Sequence, residues 1–150
     1  MLDPDETNAG FTTTPWDPHG IATLEATGED RRSALEVGLR AVLTLALGPS
    51  HAPASSGRSA PIQGEGDDLA NLFADMADDL LGQIEHFGNG LHDIVVDGVV
   101  RREEGGYAGW GYATGTLEPA PSSALPRLLS GPTAVDEGRR VIIRARLTRQ

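Results

Sequence analysis

Asp17 and His19 stand two residues apart in the phrase Asp17-Pro18-His19-Gly20, and six carboxylates crowd a later stretch: Glu65, Asp67, Asp68, Asp75, Asp78 and Asp79. In an extended segment, Asp17 and His19 face the same side and offer a metal ion one hard oxygen and one imidazole. Asp-Pro-His-Gly is also ordinary turn composition, so a turn with solvated side chains explains the same residues more simply. Glu65, Asp67 and Asp68 could hold a divalent cation such as calcium, or an arginine-rich partner, and all six could form a partner-binding surface. Helix capping and a solvated acidic face account for them without any ligand. No catalytic residue is read from the chain. Ser122 and Ser123 lack a nearby His/Asp arrangement, and no Gly-x-Ser-x-Gly elbow occurs. The glycine-rich run 105–111 has no strand-to-helix junction of the kind that binds dinucleotides. Trp110 and Tyr112 could stack on a base, although the apolar side of a strand more simply places them in the core. Arg140, Arg144 and Arg146 could form a stripe for phosphate or an acidic partner, or merely a solvated sheet face.

These residues must be positioned by local elements. Leu69, Leu72, Phe73, Met76, Leu80, Ile84 and Phe87 recur at three- and four-residue steps, which predicts an amphipathic helix with Asp75, Asp78 and Asp79 off the apolar stripe. Asp67 or Asp68 can cap its start and Gly88 can stop it. An earlier helix is predicted from about Asp30 to Leu47, with Glu29, Asp30 and Ser33 as candidate caps and Gly48-Pro49 as its end. Residues 21–27, 94–100, 107–117 and 141–147 read as strands, with Asp97-Gly98 as a bulge or turn in the second. The last is the clearest: Val141, Ile143, Ala145 and Leu147 alternate with a mostly cationic face. Residues 1–16 read as a flexible N-terminal arm, and mobile loops are expected near 48–61 and 119–138, the latter holding a turn of helix around 125–129. The expected architecture is a single α+β domain over 17–150, a mixed or antiparallel sheet with two amphipathic helices packed on one face.

Composition narrows the function. A chain of 150 residues, 39% of them hydrophobic, suits one domain with a single core. No apolar run approaches the roughly 18 residues of a membrane span. The acidic opening Met-Leu-Asp-Pro-Asp-Glu is unlike a signal peptide. A cytoplasmic protein without membrane contact is therefore expected. The absence of cysteine excludes disulfides and thiolate chemistry, and the absence of lysine excludes Schiff-base and P-loop mechanisms. A net charge of −10 argues against direct nonspecific binding of nucleic acid, whose affinity comes from cations on phosphates. A basic protein partner could still connect an acidic protein to RNA.

The phrase Gly66-Asp67-Asp68-Leu69-Ala70-Asn71-Leu72-Phe73-Ala74-Asp75-Met76-Ala77-Asp78-Asp79-Leu80-Leu81 resembles the announcement of the second helix in the archease family. Leu24-Glu25-Ala26-Thr27-Gly28 followed by the first helix is similar to the family's opening, and the later strands follow in the family's order. The resemblance covers residues 20–147. It implies a small activator protein that assists the GTP-dependent RNA ligase of transfer-RNA splicing and repair, speeding guanylylation of the ligase's histidine and permitting repeated turnover. It also implies a metal site joining an aspartate of the opening motif to an acid near the C-terminus. Counted back from Gly28, that motif falls on Pro18-His19-Gly20-Ile21, so Ile21 replaces the aspartate and only a local shift brings Asp17 or His19 into the role. No acid follows Glu137. Two further readings stay open: a degenerate binding or oligomeric module of the same fold with neither metal nor ligase, and a small metal-dependent hydrolase.

Overall fold

The computed structural model describes residues 10–48, 58–87, 91–115 and 125–149. Asp30 opens the first helix, α1 (Arg31–Leu47): its carboxylate accepts the Ser33 N–H while the Ser33 hydroxyl answers the Asp30 N–H. Gly48, at φ 84°, closes it, donating its N–H to the Thr44 carbonyl. The second helix, α2 (Leu69–Phe87), starts where Asp68 Oδ1 accepts the Asn71 N–H at 2.8 Å. Leu72, Phe73, Met76, Leu80 and Ile84 are fully buried, as the spacing predicts. The expected stop at Gly88 lies outside the described residues.

Among the described residues eight strands surround these helices, all antiparallel. In one sheet β2 (Ile21–Gly28) runs beside β8 (Val141–Thr148), flanked by the short β1 (Phe11–Thr13) on one side and by β6 (Arg127–Leu128) and β7 (Thr133–Asp136) on the other. In a second sheet β5 (Tyr107–Gly115) lies between β3 (Arg58–Gly66) and β4 (Leu91–Arg101), and the register slips between Val96 and Gly98, where a bulge at Asp97-Gly98 was expected. The molecule is α+β, and its strands form two sheets where one was expected. Both helices touch both sheets, and one continuous core runs through all of them.

The helices themselves keep the sheets apart. On α1, Arg32, Glu36 and Arg40 form a stripe at four-residue steps along the free edge of β4. Glu36 Oε2 accepts the Val96 N–H at 2.9 Å, Arg32 donates to the Val96 carbonyl at 2.9 Å, and Arg40 reaches the Ile94 carbonyl and Asp93. On α2, Asp75, Asp79 and Gln83 do the same for β3: the carboxylates accept the Glu65 and Gln63 N–H groups at 2.8 Å, and Gln83 donates to the Pro61 carbonyl at 2.8 Å. Four helical residues rise about 6 Å and two strand residues about 6.6 Å, so the steps of α2 and β3 match. Backbone groups that would recruit another strand are answered by side chains instead.

Three further segments differ from expectation. Phe11, Thr12 and Thr13, placed in the flexible arm, pair with Ala26, Glu25 and Leu24, and Trp16 packs against the core beneath the Arg149 guanidinium, 4.5 Å from the ring centre. Residues 58–60, placed in a mobile loop, begin β3. Residues 127 and 128, expected in a helical turn, extend along Thr148 and Leu147, because the edge of β8 supplies a hydrogen-bonding partner that no local pattern reveals.

Candidate functional site

Asp17 is held by its own turn. Its Oδ1 accepts the backbone N–H groups of His19 at 2.8 Å and Ile21 at 2.9 Å, and its backbone N–H and C=O close the same loop through Ile21 and Gly20. The Ile21 N–H is the larger influence that lowers the Asp17 pKa below its ordinary 3.8, with His19 contributing less; burial opposes them. Among the described residues no three His, Cys, Asp or Glu side chains converge as a cation would need. The Asp17–His19 pair thus lies in an exposed turn, to which the described residues bring no third ligand.

The six acidic candidates separate into four kinds. Asp68 is a helix cap. Asp75 and Asp79 answer the edge of β3. Glu65 and Asp67 face Arg102, at 3.0 and 3.6 Å, and that arginine also donates to the Gly66 and Gly105 carbonyls, tying the β4–β5 turn to the start of α2. Asp78 is the exception: among the described residues no hydrogen bond or ion pair engages its side chain. Burial first, and then the neighbouring Asp75 carboxylate, push its pKa above 3.8.

Asp78 lines an open cleft of about 750 Å³ with Glu65, Asp75, Asp79, Gln63 and Trp110. The cleft forms because α2 sits low on a seat of glycines. A Cβ at Gly64 would lie 2.8 Å from Met76 Cγ and 2.9 Å from the Met76 nitrogen, and one at Gly109, the cross-strand partner of Gly64, 2.9 Å from Met76 Sδ. The glycine side of β5 therefore faces the core, and Trp110 faces out. Trp110, expected inside, is 43% exposed, with its ring over Gly98, where a Cβ would come within 2.5 Å of Cζ2. The nearby Val100 is 47% exposed. Carboxylates beside an accessible indole suit an arginine or lysine side chain, drawn by charge and by the ring face together.

The fold is similar to one already solved. The solution structure of Methanobacterium thermoautotrophicum protein 1598, a structural-genomics target, matches with a TM-score of 0.62 and 20% identity, over 93% of this chain and 99% of that one. At that identity the likeness concerns the fold alone. No protein-family model and no curated protein matches the chain. Among the described residues no helix is long and apolar enough to cross a membrane.

Proposed function

We propose that this chain is an archease-like protein with no catalytic chemistry of its own, which activates a GTP-dependent RNA-splicing ligase by docking on it. The observation that carries the reading is α2. The segment whose wording resembles the family folds as one amphipathic helix, and its back supplies Asp78 to the cleft beside Trp110. The chain-wide similarity in fold to protein 1598 supports the scaffold that the reading needs. In this proposal the cleft receives a cationic side chain of the ligase. Trp110 gives contact area and Asp78 charge, and tryptophan is among the residue types that most often carry interface energy.

The test mixes the purified chain with the RNA-splicing ligase of the same host, GTP and RNA ends. The expected result is repeated turnover and faster guanylylation of the ligase, both reduced by Asp78→Arg and by Trp110→Ala. Unchanged ligase turnover, with no co-purification of the two proteins, overturns the proposal.

The engagement of Asp17 by its own turn favours a second reading, a binding module of this fold that uses no metal. Flat calorimetric titrations with calcium, magnesium, manganese and zinc, together with an unresponsive ligase, are its expected signature. A saturable calcium heat lost in Asp17→Asn would exclude it.

A further inference from the structure

The basic residues of this acidic chain are segregated. Arg127, Arg139, Arg140, Arg144, Arg146 and Arg149 fall in the last described segment, against only Asp136 and Glu137. On β8, Val141, Ile143, Ala145 and Leu147 are buried toward the helices, so Arg140, Ile142, Arg144 and Arg146 belong to the outer face of the sheet. Register places Glu25 opposite Arg144, Thr23 opposite Arg146 and Val135 opposite Ile142. Arg144 Nε bonds Glu25 Oε2 at 2.6 Å, whereas Arg140 reaches Glu137 only at 4.0 Å. Arg146 is exposed, and among the described residues no hydrogen bond, ion pair or ring contact engages its side chain. In a chain with ten more acids than bases, an exposed cation opposite a threonine, with no acid partner among the described residues, is out of keeping with the rest of the surface. Farther along the same face, opposite Ile142 and four β8 residues from Arg146, Val135 is 45% exposed.

We propose that this outer face docks an extended acidic segment of a partner protein, a second interface distinct from the cleft under α2. Arg144 and Arg146 lie two residues apart on one strand, a spacing of about 6.6 Å, and an extended segment with a carboxylate at every second residue repeats at the same interval. Glu25 on Arg144 displays the bond that such carboxylates make. Val135 adds one exposed apolar group to this face, opposite Ile142, which is itself buried. A phosphate backbone suits the face less well, since Glu25 stands in its middle. Salt at physiological strength screens the net charge beyond roughly 8 Å, so the local arginines govern the encounter.

The experiment follows the fluorescence anisotropy of a labelled short peptide alternating glutamate with valine, titrated with the full chain. Saturable binding that weakens with salt is expected. Arg146→Glu, Arg146→Ala and Val135→Asp should each weaken it, the first by about tenfold or more. Arg101→Glu, an equal charge reversal on the other sheet, should leave it unchanged, and melting curves establish that every variant folds. Absent binding, or binding indifferent to Arg146, overturns the proposal. Tighter binding of single-stranded RNA than of the peptide at this face overturns it in favour of a polyanion site. Concentration-dependent self-association abolished by Arg146→Glu overturns it in favour of a second copy of the chain.

Discussion

Asp79 illustrates how one carboxylate in this protein is assigned to structure and its neighbour to the surface. Asp79→Ala leaves the Gln63 N–H at the edge of β3 without its acceptor, and a loss of about 1–2 kcal/mol in urea unfolding is expected. Asp79→Asn should cost less, because the carboxamide oxygen still accepts. Asp30 and Asp78 should respond to pH with opposite signs. The Ser33 N–H and hydroxyl hold the Asp30 pKa below 3.8, so its stabilisation is complete above that value and fades as pH falls through the depressed folded pKa. Asp30→Asn keeps the cap and loses the titration, and its stability should decline less steeply below pH 3.8. The Asp78 pKa is raised, so the folded state holds that proton more tightly and stability is lost as pH rises past 3.8. Asp78→Asn should therefore gain stability at neutral pH, an advantage that vanishes in acid. Chemical denaturation across the pH range checks both.

Among the elements, α2 depends on its glycine seat, and the two glycines should not be equivalent. A methyl group at Gly64 meets the backbone nitrogen of Met76, which cannot yield without moving the helix, and Gly64→Ala should cost about 1–3 kcal/mol. At Gly109 the obstacle is the flexible end of the Met76 side chain, so Gly109→Ala should cost distinctly less; urea midpoints decide. What could be read in the chain follows the reach of local pattern. The helix of residues 69–87, the cap at Asp30 and the alternation of β8 are written in contiguous residues, and the structure holds them where periodicity puts them. The inward face of β5 is not so written. Its tryptophan points out because Met76 occupies the space above Gly109, a fact belonging to another element. Likewise β1 and β6 exist by virtue of the edges they join. The six acids near α2 were legible as a group, but their division between structure and surface was not, since it depends on where the edge of β3 lies.

Across the whole molecule, charge is sorted by face: carboxylates border the cleft of Trp110, and arginines occupy the outside of β8. A charged solute should sense this. In a Trp16→Phe variant, which leaves Trp110 as the single tryptophan, caesium should quench fluorescence more strongly than iodide, and Asp78→Arg should narrow the difference. Equal quenching by the two ions would remove the cleft from Trp110's surroundings. The paired stripes on α1 and α2 bear on the history open to such a chain. The second helix is meshed with β3 like a pinion on a rack, engaging one tooth for every two strand residues. Deleting a single residue inside β3 would throw every following tooth out of mesh, so insertions and deletions in descendants of this chain should accumulate between its gears and spare the teeth.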